Sequence, residues 1–382
     1  MENRDKHIST TAPLLRGLTF DGEKGAIVVF DEAIPAHDEQ TLIVSIDPAE
    51  ESSGERVIES FRAFQAERGC CPRRVVVEGL GAFLLGPTYD EAKSGAGEIS
   101  QAASTSRADV VRNKISVVTG GAQGFGESIV RALVDAGSLV FVADINLDGA
   151  NALAASLNEA AGRTVALPVA GNVSDEESVA AMMADIVRQA GGIDLFVSNA
   201  GVLKAGSVKE MTLGDFSFVT NVNYLGFFLC VKHVSKVLAR QNRPGGRYYS
   251  DILQINSKSG LEGSNKNGAY AGGKFGAIGL VQSFAMELIE DNVKVNAICP
   301  GNFFSGPLWS DPDRGLFVQY LNTGKVAGAK TIDDVRKFYE SKVPMGRGCD
   351  GEDVVKAILY AVEQRYETGQ AIPVTGGQVM LK

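Results

Sequence analysis

The sequence predicts an α/β protein in which a doubly wound parallel sheet is preceded by a small α/β unit. Strand and helix patterns alternate from residue 115 to residue 374, and a glycine-rich turn joins the first strand of that series to its first helix. A stretch rich in glycine and serine over 94–113 separates the series from shorter patterns upstream. The division falls at about 113, giving units of 1–113 and 114–382.

In the first unit, Ala26 to Phe30 and Thr41 to Ile46 read as short strands and Glu51 to Arg68 as a helix. Arg74 to Val77 and Ala82 to Leu85 read as two further strands around Gly79 and Gly81. About a hundred residues is near the size at which a separate core is marginal. In the second unit, strands are expected at 115–119, 139–144, 164–169, 193–198, 251–256, 293–298 and 371–374. Helices are expected at 124–136, 148–159, 174–190, 212–240, 269–290 and 350–364. Helical crossovers between successive strands make the sheet parallel and cover both its faces.

The 382 residues are 45% hydrophobic and 22% charged, a globular composition. Lys and Arg number 37 against 46 Asp and Glu, a net charge of −9. That balance argues against nucleic acid or an anionic membrane as partner, since both require a concentrated positive field. It leaves room for a local basic pocket. The five cysteines, Cys70, Cys71, Cys230, Cys299 and Cys349, lack C-x-x-C spacing, so neither a disulfide framework nor a cysteine zinc site is expected. Met1 to Lys6 is charged with no apolar segment of signal-peptide type after it, and the apolar run from Ile129 to Ile145 is broken by Arg131, Asp135 and Asp144. These features predict a cytoplasmic address.

The turn after the 115–119 strand reads Thr119-Gly120-Gly121-Ala122-Gln123-Gly124-Phe125-Gly126. A pyrophosphate against a helix N-terminus needs a tight first turn, backbone without Cβ at the point of contact, and free N–H groups. A second glycine cluster, Gly79 to Gly86, is followed by more β pattern and is a weaker candidate. Asp144 ends the next strand, where a carboxylate accepts hydrogen bonds from the adenosine ribose hydroxyls and repels an added phosphate. No Arg or Lys lies between Thr119 and Val130 to reverse that preference, so NAD is expected rather than NADP.

Further along stand Ser198-Asn199-Ala200-Gly201, Asn223, Ser257, Tyr270-x-x-x-Lys274 and Pro300-Gly301. In this order and at these separations, the pattern resembles the short-chain dehydrogenase/reductase family over essentially all of 114–382. Tyr89 to Lys93 repeats the Tyr-x-x-x-Lys spacing without a glycine loop or serine partner and reads as an ordinary helix start. A tyrosine with an ordinary pKa of about 10 is a poor base near neutrality unless a cation stabilises its phenolate. Lys274, one helical turn from Tyr270, places that cation on the same face. Ser257, at a strand end, can hold the substrate oxygen as it gains charge.

The resemblance implies a Rossmann-type fold, with Tyr270 as general base in alcohol oxidation and Lys274 also binding the nicotinamide ribose. It implies that Asn223 holds a water in a proton relay. It also implies a cofactor lining of Thr119, Gly120, Gln123, Gly124, Phe125, Gly126, Asp144, Ile145, Asn172, Val173, Asn199, Ala200, Gly201, Tyr270, Lys274, Pro300, Gly301 and Phe303. Three positions depart from the commonest pattern: Asn172 where an Asp often meets adenine, Ser198 for the first Asn of its motif, and Ser305 for a frequent Thr.

Within the family, Leu253 to Gly260, Lys342 to Asp350, Thr368 to Met380, Gly301-Asn302 and Tyr224 to Cys230 are similar to the sorbitol-6-phosphate 2-dehydrogenase branch. That branch interconverts D-sorbitol 6-phosphate and D-fructose 6-phosphate with NAD(H). Candidate substrate residues are Lys204, Ser257, Lys258, Asn302 and Trp309, the two lysines as partners for a phosphate and the aromatic segment over 302–330 as a cover. Packing of those aromatics at a subunit contact is the other option. The resemblance implies a homotetramer. Val75 to Gly86 resembles the linker end of a class II aldolase-type domain. Such an aldolase holds a metal with several histidines, whereas only His7, His37 and His233 occur here, so no metal and no aldol activity are expected, and the segment is assigned to packing or assembly. An NADP-dependent or unphosphorylated polyol dehydrogenase, and a catalytically idle dinucleotide-binding sensor or scaffold, remain open alternatives.

Overall fold

The computed structural model describes residues 2–22, 24–33, 38–46, 53–95, 110–245 and 249–380. The chain opens with α1 (Glu2–Leu18), a helix absent from the expectation because its first residues are charged. Its apolar face is nevertheless regular: Ile8, Ala12 and Leu15, at helical spacing, are buried. Then follow β1 (Ile27–Asp31), β2 (Thr41–Val44), α2 (Ser53–Arg68), β3 (Arg74–Val77), β4 (Gly81–Gly86) and α3 (Tyr89–Ser94). The four strands form a mixed sheet ordered β1-β4-β3-β2. Thr88 caps α3, so the Tyr89 to Lys93 motif is indeed a helix start. Residues 51 and 52 of the expected helix, 96–109 of the expected linker, and His37 lie outside the described residues.

The second sheet comprises β5 (Ile115–Thr119), β6 (Leu139–Asp144), β7 (Ala166–Ala170), β8 (Leu195–Ser198), β9 (Ser250–Ile255), β10 (Val293–Pro300) and β11 (Ala371–Val374). All seven strands are parallel, in the order β11-β10-β9-β8-β5-β6-β7. Every residue of β5, β6, β8, β9 and β10 is buried, the signature of strands covered on both faces. The covering helices include α4 (Gly124–Asp135), α5 (Leu147–Ala161), α6 (Glu176–Ala190), α7 (Leu213–Thr220), α8 (Gly226–Gly245), α9 (Gly268–Leu288) and, after three short helices named below, α13 (Gly351–Glu363). Strand order reverses between β5 and β8, which opens a crevice at the carboxyl ends of the strands.

In the second unit, two stretches differ from expectation. The helix expected over 212–240 is interrupted by a π-helical turn, Asn221–Leu225, between α7 and α8. Such bulges re-aim side chains inside a helix. The segment read as a loop after residue 302 contains α10 (Pro307–Ser310), α11 (Leu316–Asn322) and α12 (Ile332–Glu340), built around its own aromatic cluster.

The smaller sheet is packed into the larger unit. Ile27, Val29, Val76, Ala82 and Leu84 share one apolar cluster with Ile186, Val234 and the β10 residue Val295. On its other face, Leu15, Phe61 and Phe83 pack with Val187 of α6 and Val237 of α8. The Arg16 guanidinium is fully buried and pairs with Asp194, just before β8, at 2.5 Å.

Candidate active site

The glycine turn has the conformation that its residues dictate. Gly120 and Gly124 both have φ +62°, in the left-handed region that a Cβ disfavours. A Cβ on Gly126 would lie 1.9 Å from the Gly120 carbonyl oxygen, so only glycine allows helix and turn to meet. The turn is stapled to the end of β8. Thr119 Oγ1 accepts from the backbone N–H groups of Asn199 and Ala200 at 3.0 and 3.1 Å, while Asn199 Nδ2 donates to the Thr119 and Gly120 carbonyls at 2.9 and 3.1 Å. Gln123 precedes α4 without a side-chain cap, leaving the first-turn N–H groups and the positive helix end facing the crevice.

Asp144 ends β6 beside this turn. Its carboxylate accepts from Ala122 N at 3.0 Å and Asn146 N at 2.9 Å, which ties the second strand to the glycine loop. Ile145 beside it is exposed. Asn172 Oδ1 accepts from the backbone and hydroxyl of Ser174, and Val173 is buried against Gly226. Pro300 ends β10, and Gly301, the next residue, donates from N to Val374 O at 2.8 Å. Phe303 stacks on Phe125 with ring centroids 4.3 Å apart. An uncapped helix start, a cradle that a Cβ would fill and a carboxylate at the end of the second strand together fit a dinucleotide.

The groups expected to react stand after β9 and in the first turns of α9. Ser257 follows β9, where its hydroxyl accepts from Ser259 N at 3.1 Å, and its side chain acts on the phenol of Tyr270 in the first turn of α9. Burial raises the Tyr270 phenol above its ordinary value, and Ser257 opposes that rise. Lys274 is buried, donates from Nζ to the Ile255 carbonyl at 2.8 Å, and stands 5.6 Å from the centroid of the Tyr270 ring. Burial pulls its ammonium down to about 8. The cation is thus near the phenol but anchored by the strand. Asn223, in the π-helical turn, donates from Nδ2 to Val202 O and accepts at Oδ1 from Val202 N, both at 2.8 Å. Its side chain positions the 199–202 turn against Lys274. Cys299, not singled out from sequence, is buried against Lys274 and the Ser257 N–H, with its thiol pushed up to about 12. Its only sequence signal is its place immediately before Pro300-Gly301.

The substrate candidates separate. Lys258 opens the turn after Ser257 and is half-buried at the mouth. Lys204 forms an ion pair with Asp215 at the start of α7, so its charge is already neutralised. Trp309, expected at the ligand, is 6% exposed and packs within 5.6 Å, centroid to centroid, of Phe304, Phe317, Tyr320 and Tyr339. Its indole fills the interior of the 302–342 segment because apolar rings there bury one another. Asn302 O accepts from Cys349 N at 2.9 Å, and its side-chain amide nitrogen is buried without a hydrogen-bond partner. Sequence reasoning passed over Tyr320, whose hydroxyl accepts from Asn267 Nδ2 at 3.0 Å, one turn before Tyr270. Among the described residues no group of three His, Cys, Asp or Glu side chains could hold a metal, and no helix is long and apolar enough to cross a membrane.

The profile of the short chain dehydrogenase family matches residues 114–310. Sorbitol-6-phosphate 2-dehydrogenase of Escherichia coli (strain K12) is 37% identical over 270 residues, 70% of this chain and 99% of that protein. A sorbitol dehydrogenase of Cereibacter sphaeroides is 30% identical, covering 70% of this chain and 98% of that one. Among solved structures, sorbitol-6-phosphate 2-dehydrogenase SrlD from Erwinia amylovora superimposes with a TM-score of 0.64 at 38% identity, over 70% of this chain and all of that one.

Proposed function

The chain belongs to the short-chain dehydrogenase/reductase family, and from that premise we propose that it oxidises D-sorbitol 6-phosphate at C2 to D-fructose 6-phosphate with NAD+, reversibly. The observation that carries the chemistry is the buried Lys274 ammonium 5.6 Å from the centroid of the Tyr270 ring, with Ser257 acting on the same phenol, at the carboxyl-end side of the sheet that also holds the glycine cradle after β5. The dinucleotide, when bound, supplies the hydride acceptor. Ser257 holds the reacting oxygen, and Tyr270, as phenolate, takes the carbinol proton. Because burial holds the phenol above its ordinary value, the phenolate fraction grows tenfold per pH unit through the neutral range, and oxidation accelerates with it. Lys274 keeps a positive charge near the phenol and offers its ammonium to the nicotinamide ribose. Asn223 holds the 199–202 turn.

Asp144 supports NAD over NADP: its carboxylate is locked between two backbone N–H groups, where an extra phosphate would meet negative charge. Identity with the two sorbitol-6-phosphate enzymes supports the phosphorylated hexitol. Exposed Phe216 and Phe218 on α7, Phe228 on α8 and Phe275 on α9 support a homotetramer built on these helices. Five free thiols support a reducing, cytoplasmic setting. The N-terminal unit serves packing or oligomer assembly.

NADH formation on a panel of sorbitol 6-phosphate, sorbitol, mannitol 1-phosphate and rhamnose tests the reading. Turnover of free polyols with none of the phosphorylated hexitols rejects the substrate. Tyr270→Phe is expected to lower kcat by about 10²–10⁴-fold, the worth of a positioned acid–base group.

A further inference from the structure

The sequence is acidic, and its surface cations commonly sit on carboxylates: Lys204 on Asp215, Lys232 on Glu176, Lys337 on Asp333 and Lys356 on Glu352. Three lysines on the catalytic side depart from that habit. Lys258 follows the catalytic Ser257, Lys325 lies between α11 and α12, and Lys342 follows α12. Among the described residues, none of the three forms an ion pair with a carboxylate. Their charges act on one another: Lys325 is depressed to about 8 by burial and then by Lys258, Lys342 and Lys266, and Lys258 is lowered by burial and by Lys342, with Glu262 opposing.

Aromatic faces hold these cations in place. Lys325 Nζ lies 4.0 Å from the centroid of the Tyr320 ring, and Lys342 Nζ lies 4.1 Å from that of Phe338. Tyr320 and Tyr339 are neighbours, 5.4 Å between centroids, and Lys342 is 5.8 Å from Tyr339. A ring face attracts an ammonium without pairing it with a negative charge, so the cation remains open to an incoming anion. The platform is fastened to the reaction centre. Asn267 donates to the Tyr320 hydroxyl at 3.0 Å, and Lys266 donates to Thr323 O at 3.0 Å, both from the loop that leads into Tyr270. The aromatic segment around Trp309 therefore acts as the base on which cations are mounted beside the catalytic tyrosine.

We propose that Lys258, Lys325 and Lys342 form a phosphoryl-binding subsite, which selects a substrate carrying a phosphate at the end remote from the oxidised carbon. The inference deepens the sugar-phosphate reading and rests on it for the identity of the substrate. Point charges on flexible stems suit a tetrahedral dianion, and mutual repulsion in the empty site is relieved when the dianion enters. Lys325 takes up a proton at that moment, since an adjacent dianion favours its charged form.

Two measurements on the full-length protein separate the subsite from the substrate. Calorimetric titration with inorganic phosphate at pH 8 reads binding without turnover. Binding is expected with an enthalpy that depends on the buffer's ionisation heat, and Lys325→Met or Lys342→Met is expected to weaken it at least fivefold, with the buffer dependence gone in the first. No phosphate binding by the unaltered protein, or equal binding by both variants, overturns the subsite. The ratio of kcat/KM for sorbitol 6-phosphate over sorbitol is then compared across the unaltered protein, Lys258→Met, Lys325→Met, Lys342→Met and Lys325→Arg. A fall of at least tenfold, carried by KM, is expected in the methionine variants, and Lys325→Arg restores most of it. A high ratio untouched by any of the three sinks the subsite and leaves the substrate reading standing. A ratio near one in the unaltered protein that still binds phosphate sinks the substrate reading instead.

Discussion

Replacing Arg16 with methionine tests whether the N-terminal helix is part of the catalytic core. The guanidinium is completely buried, donates to Ala26 O at 2.5 Å and to Asp194 Oδ2 at 2.5 Å, and so joins α1, the start of β1 and the approach to β8. Asp194 Oδ2 also accepts from Ile115 N at 2.6 Å, where β5 begins, and its Oδ1 accepts from Gln241 Nε2 at 3.3 Å. Removing one partner of a buried ion pair strands the other charge, a loss of about 3–5 kcal/mol. Because Asp194 keeps two N–H donors and methionine fills part of the vacated volume, the expected loss is about 3 kcal/mol, roughly a hundredfold in the folded-to-unfolded ratio. Urea unfolding followed by the fluorescence of Trp309, the single tryptophan, and by far-UV circular dichroism reads this as a lower midpoint. Both probes are expected to move together, although Trp309 is far along the chain from residue 16. Adding Asp194→Leu to the Arg16→Met protein should recover more than half of the loss, because the uncompensated charge is then gone. A loss below about 1 kcal/mol, or a shift in circular dichroism alone, would falsify the view that this pair locks the two sheets into one core.

Two further outcomes follow from the site. Asp144→Ala should shift cofactor preference toward NADP by at least tenfold, about 1.4 kcal/mol, read as the ratio of kcat/KM for the two cofactors; an unchanged ratio means that the carboxylate does not govern the choice. Lys274 has a folded value of about 8, below its ordinary 10.5, so between those values the unfolded chain binds more protons than the folded one. The ligand-free protein should therefore gain stability as pH rises from about 8 towards 10.5, with the burial penalty fully present below about 8. Lys274→Met should flatten that slope, and identical pH dependence of unfolding in the two proteins contradicts it.

Much of the second unit was legible because its signals are local. Buried parallel strands require uninterrupted apolar runs, and a turn that packs a helix onto a strand admits only glycine at Gly126, where a Cβ would lie 1.9 Å from the Gly120 carbonyl oxygen. Tyr270 and Lys274 share a helix face by spacing alone. The π-helical turn around Asn223 left no such mark, since one inserted residue in a helix barely disturbs apolar periodicity over 212–240. Helix α1 was readable from Ile8, Ala12 and Leu15, but charged residues at its start masked the pattern.

The amino-acid order alone determined the doubly wound sheet and the cradle after β5, because each depends on steric rules acting within a few residues, whereas Ser257, Tyr270 and Lys274 were expected from the family pattern. Tertiary structure alone decided that Arg16 meets Asp194 across 178 positions, that Trp309 turns inward, that Lys204 is neutralised by Asp215, and that the charges of Lys258 and Lys342 act on Lys325. Charges and rings distant in the chain have no fixed relation until packing sets one. Whether a lysine ends beside a carboxylate, an aromatic face or another lysine is therefore a property of the folded core.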